Sequence, residues 1–247
     1  MKINKFDTLE STNKHCEALD LEMVEDFTCF WALEQTDGIG QRGNHWESAA
    51  GQNLTFSLVL KPTFLAAERQ FLLTQALSLA VTDFLMAFPL PYPVYIKWPN
   101  DIYVGQEKIC GMLTNNRLKG NHICASICGI GININQHTFP DWIPNPTSLA
   151  ILTGKQYPLD QLLQQLLECI AKRYDELRKQ HDPNQEYLNR LMNLGTPAKY
   201  LYQGREITAT ITGVNGFGHL LLDTKEGEQL CCEMKEIQYV TNKSNPQ

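Results

Sequence analysis

The hydrophobic positions of this chain change period several times, and each change predicts an element. Ile3 to Thr8 reads as a short opening strand. Ser11-Thr12-Asn13 then offers three helix-capping side chains before a helix expected to run to about Met23. Phe27 to Glu34 is apolar and aromatic, as a buried strand should be. Residues 35–53 form a polar, glycine-rich connection longer than most, and connections of that length are functional or disordered. Leu54 to Leu60 is a second buried strand, stopped by Pro62. Residues 66–87 repeat as a helix with Leu73, Leu77, Ala80 and Phe84 on one face. Strand segments follow at Val94 to Trp98, Ile102 to Val104, Lys108 to Asn115 and His122 to Asn133. Prolines at 140, 144 and 146 mark an irregular crossing. The clearest helix spans 159–179, where Leu159, Leu163, Leu166, Ile170 and Leu177 share a face, and a shorter helix is expected near 184–193.

After Gly195-Thr196-Pro197 the texture becomes β-like, with short segments at 198–203, 206–213, 218–223, 228–232 and 236–240. Asn215-Gly216 and Glu226-Gly227 supply turns between them. The expected division is a domain over 1–194 and a small all-β domain over 195–247.

Composition changes this picture little. Of the 247 residues, 43% are hydrophobic and 19% charged, which is enough apolar material for a sizeable core. The net charge of −6 weighs against a general nucleic-acid binder, which needs basic surface to displace counterions. It leaves room for small anionic ligands held by a few local cations. The eight cysteines form no CxxC pair, and no histidines stand at zinc spacing, so buried free thiols are expected rather than disulfides or a metal knot. No apolar run approaches the roughly 18 residues of a membrane span, and the first residues lack a signal-peptide pattern. A cytoplasmic location is the expectation.

Three segments carry candidate chemistry. Gly38-Ile39-Gly40-Gln41-Arg42-Gly43 has the letters of a dinucleotide fingerprint, but that fingerprint needs a helix at its third glycine and an acidic residue about 20 positions on. Neither is present, so a dinucleotide site is not expected. The loop can still cradle an anion with glycine amides and Arg42, with Trp46 as a flat face for a purine, or be a mobile surface loop anchored by a buried Trp. Lys97-Trp98-Pro99-Asn100-Asp101 ends a strand at Pro99 and presents Asn100 and Asp101 at a turn, which is also what a plain turn would do. A return strand after Gly105-Gln106 can bring Lys108 back beside that turn. A carboxylate able to hold Mg²⁺ beside a compact ammonium suits nucleotidyl transfer. Gly129-Ile130-Gly131-Ile132-Asn133 lets either a ligand lie against a strand or the sheet bend.

In chain order, Ser11-Thr12-Asn13, Gln35, Gly38-x-Gly40-x-Arg42-Gly43, Trp46, Lys97-Trp98-Pro99-Asn100-Asp101, Lys108-x-x-Gly111 and Gly129-x-Gly131-x-Asn133 resemble the biotin–protein ligase family, also called biotin–[acetyl-CoA-carboxylase] ligase. The resemblance spans about 3–153, and the small C-terminal β-domain is similar too. It implies an α+β fold: a mixed, mostly antiparallel sheet with helices packed on it, of the class II synthetase-like biotin–lipoate ligase type, plus a small SH3-like β-barrel. It also implies ATP-dependent activation of biotin as biotinyl-5′-AMP and transfer to a lysine of a biotin carboxyl carrier protein or domain of a biotin-dependent carboxylase.

The resemblance assigns roles as well. Ser11, Thr12 and Gln35 would bond the ureido ring, with Asn13, Gly38 and Gly111 in the biotin site. Gly40 and the backbone from Ile39 to Gln41 would contact biotin and the adenylate phosphate. Trp46 would pack on adenine with Asn133 nearby. Lys97, Asn100 and Arg42 would serve ATP, with Asp101 as the ligand of Mg²⁺. Lys108 would bind carboxylate and phosphate during activation, and Gly129 and Gly131 would line the biotin tail. Lys108, Asp101 and Arg42 would be the catalytic set.

Ile39 and Gln41 depart from the pattern, since many members carry arginine at both. Some members also carry an N-terminal DNA-binding domain. Here the Ser-Thr-Asn element begins at residue 11, so a ligase without nucleic-acid or membrane partners is expected, as monomer or weak homodimer. The alternatives are a lipoate or octanoyl ligase or transferase and a non-catalytic biotin or nucleotide sensor. Met234-Lys235-Glu236 is similar to an acceptor hairpin without its second flanking Met, so Lys235 is read as a surface lysine.

Overall fold

β1 (Lys2–Leu9) opens the chain. Ser11 leaves it in extended geometry and its side chain accepts a hydrogen bond from Lys14 N, which starts α1 (Thr12–Glu17). This helix buries Thr12, Asn13 and Cys16 and ends at Ala18, well short of the expected Met23. Asp20 explains the shortfall: its carboxylate accepts from Glu22 N at 3.1 Å and its carbonyl from Met23 N, a local turn that competes with the helix. The computed structural model describes residues 2–240, apart from the Arg42 side chain. The last part of the expected β-domain, 241–247, lies outside the described residues.

β2 (Thr28–Gln35) runs parallel to β1, with Leu9 opposite Gln35. β3 (Leu54–Leu60) is buried at all seven positions, the polar Thr55 and Ser57 included. α2 (Phe71–Met86) is buried nearly all round rather than on the one expected face. β4 (Val94–Lys97), β5 (Asp101–Val104), β6 (Glu107–Lys119) and β7 (His122–Ile132) complete a seven-stranded sheet in the order β1-β2-β3-β7-β6-β5-β4. Every pairing except β1 with β2 is antiparallel.

α3 (Leu149–Thr153) was not expected; Ser148 caps its start, and Gly154 ends it at φ 69. α4 (Leu159–Arg178) is amphipathic and packs on α2, which explains why α2 has no wet face. α5 (Asn184–Asn189) is shorter than expected. Asp83 of α2 ties these helices together: it accepts from Arg173 Nε of α4 at 2.7 Å and pairs with Arg190 Nη1 at 2.7 Å. Arg173 also pairs with Glu186 of α5 at 2.9 Å. Just past Arg190, Ile96 of β4 takes a bond from Met192 N and gives one to Arg190 O, both 2.8 Å. The charge network thereby fixes the strand that leads into Lys97-Trp98-Pro99.

β8 (Pro197–Tyr202), β9 (Arg205–Val214), β10 (Leu220–Thr224), β11 (Gln229–Cys232) and β12 (Ile237–Tyr239) form a second, antiparallel sheet in the order β11-β10-β9-β8-β12. The fold is α+β, as expected. The hydrophobic core runs without a break from the first sheet into Tyr200, Ile211, Leu220 and Leu222 of the second. All eight cysteines are unpaired; Cys231 is exposed. Among the described residues no helix is long and apolar enough to cross a membrane.

Candidate active site

One cleft of about 470 Å³ gathers residues from both sheets. That is a volume typical of small-molecule sites. Its inner end is polar. Gln35, the last residue of β2, turns its side-chain carbonyl to α1, where Oε1 accepts from Thr12 N at 2.7 Å and Thr12 Oγ1 lies 3.1 Å away. Ser57 of β3 reaches the same helix, 2.8 Å from Thr12 Oγ1, and hydrogen-bonds Asn13 Oδ1. Ser11 lines the cleft beside them.

The glycines form the floor, and side chains of this chain cover them. The Asn13 amide lies on Gly129, where an added Cβ would come within 2.8 Å of its Cγ. The Trp46 ring lies on Gly131 and Gly111, where added Cβ atoms would stand 2.6 Å from Nε1 and 2.9 Å from Cζ3. Gly129 and Gly131 were expected to face the ligand directly; both line the cleft, but largely through Asn13 and Trp46. Side chains larger than hydrogen at these positions would expel both.

The glycine loop is a small hairpin rather than a helix start. Gly38 O accepts from Trp46 N at 2.8 Å, Gly40 N donates to Asn44 O at 2.7 Å, and Ile39 bridges His45. Gln41–Gly43 makes a single 3-10 turn, followed by extended Asn44, so there is no helix N-terminus for a pyrophosphate. Ile39, Gly40, Gln41 and Trp46 reach the cleft. Gly38 does not; its tight approach to Trp46 O, 2.5 Å from an added Cβ, explains the glycine structurally. Arg42 has its backbone in the 3-10 turn, and the expectation for its side chain lies outside the described residues.

The outer end is charged. Trp98-Pro99 is a cis peptide, and Asp101 and Lys97 face one another across the β4–β5 pair. A bulge between β5 and β6 re-aims Lys108, whose Nζ stands 2.7 Å from Asp101 Oδ2. The proline-rich crossing clamps the Lys108 backbone on both sides: Lys108 N donates to Asn145 O at 2.7 Å and Thr147 N to Lys108 O at 2.9 Å. Lys97 Nζ sits 5.0 Å over the rings of both Tyr103 and Tyr239, and Tyr103 OH is 3.3 Å away. Burial pulls the Lys97 ammonium below the ordinary lysine range; the neighbouring Lys108 charge adds to this and Asp101 opposes it.

Asn100 and Asn133, both expected at the nucleotide, each brace a neighbouring segment. Asn100, 3% exposed, donates Nδ2 to Met112 O at 2.8 Å and so pins the turn to β6. Asn133, 5% exposed, donates to Thr147 O at 2.9 Å. Neither lines the cleft. Each donates its Nδ2 to a backbone carbonyl of a neighbouring segment, and its Oδ1 is buried with no partner among the described residues.

Sequence reasoning missed Ser57 and Tyr239. Ser57 had a signal, since with Thr55 it interrupts an otherwise apolar, fully buried strand. Tyr239 had none: β12 of the second sheet brings it, with Ile237 and Gln238, to the cleft wall. Trp98 Nε1 donates to Gly218 O at 2.9 Å and holds the second sheet there.

As a donor set for magnesium, Asp101 is the carboxylate on the cleft, and among the described residues no three His, Cys, Asp or Glu side chains gather. That is no all-protein cage, but it fits an ion held by one carboxylate together with substrate phosphates and water.

Residues 6–133 match the model of the Biotin/lipoate A/B protein ligase family. The chain is 29% identical over 226 residues to the Bifunctional ligase/repressor BirA of Bacillus spizizenii, covering 90% of this chain and 69% of that protein. It is 28% identical over 212 residues to the Biotin--[acetyl-CoA-carboxylase] ligase of Paracoccus denitrificans, covering 81% and 86%. Its structure is similar to that of the biotin protein ligase from Aquifex aeolicus in complex with biotin and ATP, with a TM-score of 0.79, 26% identity, and 97% and 99% of the two chains covered.

Proposed function

The chain belongs to the Biotin/lipoate A/B protein ligase family, and on that premise we propose that it is an ATP-dependent biotin–protein ligase. The observation that carries this reading is the polarity of the cleft: an amide- and hydroxyl-lined inner end at Thr12, Asn13 and Gln35, and the Lys108–Asp101 pair at the outer end. Biotin has a ureido head and a carboxylate tail, which match those two ends. The dithiolane of lipoate would leave the inner amides without partners, at a cost of about 1–3 kcal/mol each.

A carboxylate is a poor acyl donor because its leaving group would be oxide. Its attack on the α-phosphorus of ATP forms biotinyl-5′-AMP and expels pyrophosphate. The acceptor lysine amine then attacks the activated carbonyl, an amide forms, and AMP leaves. No enzyme nucleophile is needed, so positioning and charge carry the rate. Lys108 holds the biotin carboxylate against the phosphate and offsets charge on both. Asp101 would hold Mg²⁺, whose charge offsets that of the phosphates. Lys97, boxed by Tyr103 and Tyr239, supplies a second cation. Trp46 offers its outer face to adenine.

On the same reading 1–194 is the catalytic domain and 195–247 a β-domain that walls the nucleotide end. The acceptor is the carrier protein or domain of a biotin-dependent carboxylase, acetyl-CoA carboxylase in the narrowest form. The test is intact-mass detection of biotinyl-AMP on the purified chain after incubation with biotin and Mg-ATP. Finding lipoyl-AMP in the lipoate reaction, with no adduct from biotin, would overturn the reading.

A further inference from the structure

Of the eight thiols in the chain, Cys231 alone is exposed. Cys16, Cys29, Cys110 and Cys128 are buried, and burial pushes each of these thiols well above the ordinary range. Cys124 is half-buried, with its Sγ 3.3 Å from Arg117 O. Cys231 stands on β11, an edge strand of the second sheet, opposite Leu221 of β10. Its Sγ lies 3.7 Å from His219 Nδ1 and 3.5 Å from Asn215 Nδ2. A nucleophile, a base and a hydrogen-bond donor therefore meet on one surface, and none of the three lines the ligase cleft.

Asn215 decides where the protons sit. Its Oδ1 accepts from Phe217 N and His219 N, both at 3.0 Å, so the end turned to the other two side chains is Nδ2. Nδ2 carries two hydrogens, for Cys231 Sγ at 3.5 Å and for His219 Nδ1 at 3.4 Å. A donor aimed at Nδ1 leaves it the bare nitrogen of a neutral imidazole, with the ring hydrogen on Nε2. A bare Nδ1 can take the Cys231 proton, and the Asn215 donor then stabilises the thiolate. Phe217 stacks on the His219 ring, with centroids 6.1 Å apart, and holds it in place.

We propose that Cys231 is a modification site, a thiol that His219 and Asn215 activate for exchange with low-molecular-weight disulfides. His219 Nδ1 takes the Sγ proton, and the sulfur attacks one sulfur of the small disulfide. That S–S bond breaks as the bond to Cys231 forms. The departing sulfur takes the proton from His219 and leaves as a thiol, so the small disulfide is the oxidant and nothing else is consumed. The same turn reaches the ligase site. Gly218 N donates to Asn215 O at 2.9 Å, and Gly218 O accepts from Trp98 Nε1 at 2.9 Å. A group bonded to Cys231 crowds Asn215, on which this turn is built, and loosens the hold on Trp98 beside Lys97. Modification therefore slows adenylation. That consequence rests on the ligase reading above; the site itself does not.

The test treats the full chain with hydroxyethyl disulfide at neutral pH and follows adducts by intact mass and peptide mapping. Cys231 should carry the first adduct, formed at least about tenfold faster than any on Cys124 or Cys169, and His219→Gln should slow it about tenfold. A first adduct on another cysteine, or an unchanged rate in His219→Gln, overturns the site. Biotin-dependent ATP–pyrophosphate exchange is measured on the same samples. It should fall about fivefold in the modified chain, as loss of one hydrogen bond implies, and return with dithiothreitol. In Cys231→Ser it should be normal and indifferent to the disulfide. Exchange that survives modification of Cys231 overturns the link to Trp98. Absence of exchange in the unmodified chain overturns the ligase reading and that link with it, while the adduct rates still decide the site.

Discussion

Lys108 Nζ stands 2.7 Å from Asp101 Oδ2 across the β5–β6 hairpin, each side chain just over a quarter exposed. An ion pair this wet contributes little to stability. Its geometry matters instead, because it holds an ammonium and a carboxylate at the one place where a carboxylate and a phosphate are to meet. Lys108→Ala should abolish biotin-dependent ATP–pyrophosphate exchange, a loss of at least about 10²-fold, while leaving the melting temperature within about 2 °C. Near-normal exchange in that variant would show that Lys108 does not activate the carboxylate.

Lys97 gives the site a pH limit. Burial lowers its proton affinity, so it discharges at a pH below the ordinary lysine range. The folded chain then releases a proton that the unfolded chain still holds, so the stability contribution of this group rises with pH through that window, and its cost is present in full below it. Activity should move the other way. kcat/KM for ATP should fall on the alkaline side before an ordinary lysine would titrate, and Lys97→Arg should shift that limb upward. An alkaline limb at the same pH in both proteins would remove Lys97 from the nucleotide site.

Gly131→Ala should act on Trp46 rather than on the strand. The new Cβ would stand 2.6 Å from Nε1 of the ring, which has to leave the floor. Overpacking of this kind costs about 1–3 kcal/mol. The expected signature is a blue or red shift of Trp46 fluorescence together with a raised KM for ATP. Unchanged fluorescence and KM would mean that the ring does not pack on Gly131 in solution.

The loop at 38–53 should order over its substrates and exclude water from the mixed anhydride. Biotin plus ATP is expected to protect it from limited proteolysis. Equal cleavage with and without the two ligands would exclude closure. Because Ile39 and Gln41 bring no charge to the cleft, release of biotinyl-AMP should be faster than in a relative with arginines there, at matched salt and Mg²⁺.

The helical layer should fail in acid through Asp83. Burial works to raise its proton affinity, but the hydrogen bonds from Arg173 and Arg190 prevail and lower it. Its contribution is therefore present above the unfolded carboxylate pKa of about 3.9 and lost as pH falls through the depressed folded value. Asp83→Asn leaves Arg173, 9% exposed, without its main partner and should cost about 3 kcal/mol at neutral pH in urea unfolding. A loss under about 1 kcal/mol would mean that Glu176 and Glu186 satisfy Arg173 alone.

Most elements were legible along the chain because each rests on a local rule. The five apolar residues of β3, the leucine stripe of α4, the cap at Ser11 and the proline stop at Pro99 need no partner to be read. α1 was overextended because an Asx turn at Asp20 competes with the helix on equal local terms. α2 was given one wet face because the sequence does not say that α4 will cover it.

The sequence alone determined which chemical groups were available, and in what order: capping hydroxyls, a glycine loop, a lysine–carboxylate turn and a second lysine. Only the tertiary structure decided which of them meet. Asn100 and Asn133 look like ligands in the sequence, but each donates to a backbone carbonyl of a neighbouring segment, because a buried amide takes the nearest acceptor. Ser57 and Tyr239 look like core and tail, yet strand register sets one under Asn13 and the second sheet swings the other over Lys97. Those placements depend on pairing between distant segments, which no local pattern encodes.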